Sequence, residues 1–450
     1  DITDTCAYSY KKIPVSECAV REPLHARILL LSDGTNEAAW IAMDNCEMRN
    51  AHIRELKSAL NALTGIRPAA QLIASNHIHS GHGYIDINVN YEAERIAGGI
   101  RIARSALQPV AAIEQRIGQL PSGSVIDRRM SLGNALGEEC IMFNDGCVVD
   151  LAKREIEIGG LLDATLAQYG ATRESEGLPP GKINHRGPVD ERIHLWVLKS
   201  ALGETLGSVV RINAHPVTVS MSRAGKVMSA DFVRFLSDAV EESHGSTCLV
   251  FNGSFGNTRP LQSEYTIAEC RRVGLLHAET ALNGQRTTHT ATVLRAVAAD
   301  SVPLAFRSDL PRSLDALRAL KDKLIDDPSA PPAARKRNSE LKNTLTYLLD
   351  AMDPRIHPIV SEPEIEAGAI PTEWQYWTLG PIALFAMPGE PFVQQTTAIE
   401  SLTGALSVGV ANGYVGYLPD VASNRKGGYE TTYRYREETA LAPIASISTI

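Results

Sequence analysis

Two histidines one residue apart, His77 and His79, sit in the segment Ala74-Ser75-Asn76-His77-Ile78-His79-Ser80-Gly81-His82-Gly83-Tyr84. Imidazole nitrogen is a good ligand for a divalent metal, and two imidazoles on one face suit such a site. The preceding apolar run, Ala70-Gln71-Leu72-Ile73, reads as a buried strand. Side chains alternate along a strand, so both rings face the same way as it runs out into a glycine-rich turn. The plain alternative is a pair of ordinary surface or core histidines, and the H-x-H spacing alone does not choose between them.

The same pattern recurs. The strand expected over Ser208–Ala214 ends at His215-Pro216, and the segment Met387-Pro388-Gly389-Glu390-Pro391 follows the expected strand Trp374–Met387. Asn412-Gly413-Tyr414-Val415-Gly416-Tyr417 follows another, Ser407–Asn412. Each place ends a strand with a residue able to bind metal, and strand ends are where α/β sheets bind ligands. Taken singly, each has a bland reading. His215-Pro216 suits a turn, Glu390 suits the start of a helix at Pro391, and Tyr417 suits a packed aromatic.

The elements around these points alternate. His25–Leu31 and Ala39–Asp44 read as a hairpin across Ser32-Asp33-Gly34-Thr35-Asn36. Helical periodicity covers Met48–Leu63, about Tyr91–Leu107, Ala230–Glu242 and 262–283. Thr247–Phe251 reads as a buried strand, His194–Leu198 as another, and Thr290–Phe306 as strand pairs. Ser313–Met352 reads as a helical hairpin broken at Asp326-Asp327-Pro328-Ser329-Ala330-Pro331-Pro332. The expected fold class is α/β, a mixed central sheet flanked by helices. The expected organisation is one domain over 1–450 with the helical hairpin inserted around 313–352.

Composition narrows the function. A net charge of −8 with no basic, aromatic-interleaved patch argues against a nucleic-acid binder. No apolar run approaches the length of a membrane span. The seven cysteines are scattered with no CxxC, so reduced thiols in a cytoplasmic protein are expected rather than a disulfide framework. The chain begins at Asp1 rather than Met, which leaves a processed N-terminal segment, and hence secretion, open.

Taken together, the segments resemble the catalytic domain of the neutral, non-lysosomal ceramidase family. The family's T-H-T-H-S-G-P-G-G corresponds to Ser75–Gly83, its G-P-V-D to Gly187-Pro188-Val189-Asp190, and its A-V-H-P-T to Asn213–Thr218. Its S-x-D appears as Ser229-Ala230-Asp231, its P-G-E as Pro388-Gly389-Glu390, and its N-x-Y-x-x-Y as Asn412–Tyr417, followed by Tyr429-Glu430. The order and rough spacing hold across nearly the whole chain.

The resemblance implies one zinc ion per chain held by His77, His215, Glu390 and Tyr417, with a position left for water that zinc would activate. It implies His79 as a proton-handling or oxyanion-binding group, Arg128 as a substrate or oxyanion contact, and Tyr429 as a donor behind the metal ligands. Two departures matter. The family's G-D-V-S-P reads Gly256-Asn257-Thr258-Arg259-Pro260, so its serine position holds Arg259 and its aspartate position Asn257. His82 replaces a proline. These changes suggest a more polar pocket, with Arg259, His82 and Asn257 contacting a small substrate that carries a carboxylate or phosphate.

The chain ends soon after the tyrosine segment, so the family's C-terminal β-sandwich is not expected, nor is a stable membrane anchor. The expected activity is zinc-dependent hydrolysis of an amide in a small, polar, anionic substrate. True ceramidase activity, an ester or lactone hydrolase using the same site, and a non-catalytic binding protein are the alternatives. An oligomer is compatible with all of them.

Overall fold

The structure is a computed structural model. It describes residues 1–450 except 10–11, 84, 133–138, 142–146, 220–225, 291–293, 351–354, 358–359 and 433–450. Tyr84 and the last residues of the expected helical hairpin therefore lie outside the described residues.

The mixed sheet is divided into three principal sheets. In the first, Ala26–Ser32 pairs antiparallel with Glu37–Met43, and Gln71–Ser75 runs parallel to the latter. Asp33 builds the hairpin turn, its Oδ1 accepting from the backbone N–H groups of Thr35 and Asn36. The parallel crossover is the helix Asn50–Thr64, closed by Gly65 in the left-handed region at φ 79°, with its N–H on the Asn61 carbonyl. Gln71–Ser75 is buried along its whole length, as a strand covered on both faces must be.

The second sheet has the order Cys248–Asn252, Thr205–Ile212, Arg192–Lys199, Ala112–Gln119, Gln285–Thr290. Only its first pair is parallel. The third has the order Leu294–Ala305, Ala369–Leu379, Ile382–Ala386, Leu406–Val408, and only its last pair is parallel. Each sheet thus owns one parallel pair, and the carboxyl ends of these pairs meet. Ser75 N donates to Val410 O at 3.0 Å, Asn412 N to Ile73 O at 2.8 Å, and Gly409 N to Asn252 O at 2.8 Å. Backbone bonds from all three sheets are satisfied by one another at that seam.

Two apolar layers hold the sheets. Trp40, Leu72, Trp196, Val209, Phe251, Trp377 and Leu384 form a core shared by the three. Trp40 meets Trp377 edge-on at 5.9 Å. On the other side, Leu56, Ile96, Phe232, Leu236 and Val273 bring four helices down onto the first two sheets. A third cluster, including Leu317, Leu345, Trp374 and Phe385, packs the helices Leu314–Lys323 and Pro332–Asp350 on the third sheet. Among the described residues no helix is long and apolar enough to cross a membrane.

Some elements differ from the sequence reading. The helix expected over 262–283 begins at Ile267, because Thr266 accepts from Glu269 N and caps it there. The helix Gly159–Tyr169 was not anticipated: two glycines at its start give poor helix propensity. The helix after Glu390 starts at Val393 rather than Pro391.

Trp377 is fully buried where the three sheets meet, and its indole N–H donates to Gln375 Oε1 at 2.8 Å. Trp377→Ala should lower the free energy of unfolding by about 3–5 kcal/mol. A urea titration checks this. A loss below about 1 kcal/mol would mean that the shared core is not packed as described.

Candidate metal centre

His77 leaves its strand in an unusual way. Its φ is 62°, a left-handed conformation that a non-glycine residue adopts only under constraint. The constraint is the surrounding backbone: Asn76 N donates to Met43 O, Ile78 N to Asn45 O, and His79 N to Pro216 O. The twist aims the His77 Nδ1–H at Cys46 O, 2.7 Å away. That bond makes Nδ1 the donor to the backbone and leaves Nε2 on the opposite side, toward Glu390.

His215 is prepared similarly. Its Nδ1 lies 3.2 Å from Phe255 O, and its backbone N–H donates to Thr258 O. The two rings lie 4.8 Å apart, and the Phe255 ring packs on both. Both histidines are buried. Glu390 Oε2 lies 3.4 Å from His77 Nε2 and 3.8 Å from His215 Nδ1. The other oxygen, Oε1, accepts from the Tyr414 hydroxyl at 2.6 Å.

His77, His215 and Glu390 each place a ligand atom within 4.8 Å of the others. Glu390 Oε2 is buried and receives no hydrogen bond. A buried carboxylate oxygen without a donor is costly, and a cation between it and the imidazoles removes that cost. A His-His-carboxylate set is also a donor set that zinc takes. The residues therefore fit a metal ion.

His79 comes to the same spot. Its Nε2 lies 2.9 Å from His215 Nε2 and 3.4 Å from His77 Nε2. Of the three imidazoles it is the one not fully buried. Tyr417 pairs with Glu390 in a two-residue parallel ladder, and paired positions present their side chains to one face. Arg128 Nη2 lies 3.1 Å from the Tyr417 hydroxyl and 2.7 Å from Gly256 O. Burial and the Glu390 carboxylate push the Tyr417 phenol well above its ordinary range, and Arg128 opposes them. Burial pulls His77 down, but Glu390 and Cys46 outweigh it and raise the imidazole. Burial, then Arg128 and the other two imidazoles, lowers His215.

Two solved structures share this architecture. Neutral ceramidase from Pseudomonas aeruginosa superposes with a TM-score of 0.60 at 16% sequence identity, covering 93% of this chain and 67% of that one. A ceramidase complexed with C2 gives 0.61 at 15% identity, covering 97% and 71%. The fold is the ceramidase fold. No protein-family model and no curated protein sequence matches the chain.

Within this ceramidase fold, the residues singled out from the sequence divide. His77, His79, His215, Glu390, Tyr417 and Arg128 lie together. Tyr429 packs its ring on Tyr417 at 5.9 Å. His82 places its Nε2 2.8 Å from Thr3 O, in the N-terminal segment. Asn257 is committed to the scaffold. Its Nδ2 donates to Asp127 Oδ2 at 3.1 Å, and its Oδ1 accepts from Val393 N at 3.0 Å, at the start of the helix after Glu390. Arg259 is buried in the strand Thr258–Pro260. Sequence reasoning missed Tyr414, although it stands in the same tyrosine segment. It also missed Cys46 and Phe255, whose carbonyls orient the imidazoles and which no motif marks.

Three aspects can be checked. The purified chain should hold about one equivalent of zinc by mass spectrometry, and His77→Ala or Glu390→Gln should lose it; equal zinc in both variants would rule the site out. Tyr414→Phe should weaken zinc affinity by roughly 10–100-fold in a chelator competition, since it frees Glu390 Oε1.

Asp127 gives a pH test. Burial pushes its carboxyl up to about 7, against hydrogen bonds from Arg129 N and Asn257. The native state then keeps a proton that the unfolded chain releases near pH ~4. That contribution is present in acid and is lost as pH rises through about 7. Relative to Asp127→Asn, the wild type should lose stability steadily across this window. A constant difference in urea midpoint would exclude the raised carboxyl.

Proposed function

We propose that this chain is a zinc-dependent hydrolase that cleaves an amide bond in a small, polar substrate. The observation that carries the reading is the orphaned, buried Glu390 Oε2 facing two imidazoles whose tautomers are set by backbone carbonyls. The ceramidase fold supports an amide as the bond attacked.

His77, His215 and Glu390 would hold the metal, with Tyr417 as the fourth ligand. Zinc at such a site supplies a Lewis acid and brings the pKa of water near neutrality. Arg128 beside the Tyr417 hydroxyl favours the phenolate over the phenol, the form a metal ligand needs. His79, the least buried imidazole of the cluster, would accept and return the proton that the leaving amine requires. Tyr429 braces Tyr417 from behind.

A serine nucleophile has no support in the geometry. Ser254 is fully buried, and its hydroxyl donates to Asn213 Oδ1 at 3.0 Å rather than to a base. Cys6, Cys18, Cys46, Cys248 and Cys270 are free thiols, which suits a reducing compartment.

The test is turnover of a panel of N-acyl amino acids and their esters by the zinc-loaded chain. Amide hydrolysis should vanish with a chelator and return with zinc. His77→Ala should abolish it, while Ser254→Ala should keep at least about a third of kcat/KM. A covalent acyl group captured on Ser254, or a zinc-replete protein inert on the whole panel, would sink the reading.

A further inference from the structure

Arg259 is the chemical anomaly of the molecule. Its side chain is 1% exposed, yet Nε and Nη2 have no hydrogen-bond partner. Among the described residues, no carboxylate lies within ion-pair distance of it. Burial lowers its pKa, the bonded Tyr265 side chain raises it, and Arg128 adds repulsion. The wall around it is apolar: Ile126 is directly opposite across the ladder, and Leu261 is two residues along. Burying a guanidinium unpaired is among the costliest arrangements a fold can keep.

The guanidinium is also firmly mounted. Arg259 stands one residue from Thr258, whose carbonyl accepts from His215 N at 3.2 Å. The Thr258 hydroxyl donates to Asn213 O and Ser254 O. The strand is pinned further by Leu261 N on Ser124 O. A cation held this way beside the backbone that orients a metal ligand is organised for a ligand, not for solvent.

The two unsatisfied atoms, Nε and Nη2, form one edge of the guanidinium. That edge presents two parallel N–H groups, the geometry that receives both oxygens of a carboxylate. A singly charged carboxylate neutralises one guanidinium in an apolar wall, whereas a phosphate dianion would leave charge over. We propose that the Nε/Nη2 edge of Arg259 binds a substrate carboxylate, making N-acyl amino acids the substrate class. This rests on the hydrolase reading of the metal centre for its catalytic meaning, but the recognition itself can be tested without turnover.

The probe is 4-phenylbutanoate, which has a carboxylate and no scissile bond, compared with the uncharged 4-phenyl-1-butanol. Calorimetry on the zinc-loaded chain should show the carboxylate binding at least roughly tenfold more tightly than the alcohol. Arg259→Met should remove that preference while zinc content stays at wild type, because a carboxylate held only by the metal would be unaffected. Arg259→Lys should keep a part of it, since an ammonium keeps the charge and loses the fork. If Arg259→Met does not fold, Arg259→Lys decides: a preference reduced threefold or more supports the assignment, and an unchanged one overturns it. Absence of the preference in the wild type, its retention in Arg259→Met, or tighter binding of inorganic phosphate than of the carboxylate also overturns it. In parallel, kcat/KM for N-benzoylglycine should fall much more in Arg259→Met than kcat/KM for its uncharged primary amide. A wild-type chain inert on both, with the carboxylate preference intact, would refute the hydrolase and leave the anion subsite standing.

Discussion

The molecule is organised around a carboxylate oxygen that the protein alone does not satisfy. Glu390 Oε2 is buried beside His77 and His215, and its sister oxygen is already taken by Tyr414. Such an atom, held away from water, is stabilised by a neighbouring positive charge, and His77, His215 and Glu390 form a group that could hold a metal ion. Backbone carbonyls of Cys46 and Phe255 accept from the far side of the two imidazoles and turn their Nε2 atoms inward. Three sheets then have to deliver their strand ends to one place, and only their parallel pairs do so, since a parallel pair leaves two carboxyl ends side by side.

That convergence is bought with backbone strain. His77, Val410 and Asn412 all have positive φ, at 62°, 46° and 59°. Each such residue costs about 1–3 kcal/mol, and persists only when its surroundings over-determine it. Here they do. Val410 and Asn412 are fixed by the Ser75, Gly389 and Ile73 backbones, and Asn412 Oδ1 also accepts from Ile73 N. The bonds that hold Val410 and Asn412 are the seam that joins the first and third sheets, and Ser75, two residues before His77, is part of it.

The parts of this centre that were legible in the sequence are those with a local signature. His77, His215 and Glu390 each follow an apolar strand, and a strand end with a ligating side chain can be read without knowing what it meets. The resemblance to ceramidases then put the ends together. What could not be read is what depends on partners far along the chain. The bonds of the Asn257 amide to Asp127 and Val393 could not be read from the sequence. Nor could the contact of the His82 ring with Thr3 O. Tyr414 and Tyr417 share one motif, yet only the fold shows that one buttresses Glu390 while the other faces Arg128. The helix Gly159–Tyr169 has two glycines at its head, and its Leu162 and Leu166 find their cover, including Leu132, only in the folded chain.

The segment 255–260 is tightly committed to the residues of the candidate metal centre. Four successive carbonyls in it are committed. Phe255 O faces His215 Nδ1, Gly256 O takes the Arg128 guanidinium, Asn257 O takes Arg128 N, and Thr258 O takes His215 N. Gly256 has no room to vary, since a Cβ there would lie 2.5 Å from Glu390 O. The side chains of Asn257 and Thr258 are equally engaged. The next residue, Arg259, is different in kind: its ladder partner Ile126 fixes its backbone, and its Nε/Nη2 edge is unspent. None of the bonds described for His77, His215 and Glu390 runs through the Arg259 side chain, so a substitution there spares the backbone contacts that the four residues before it carry.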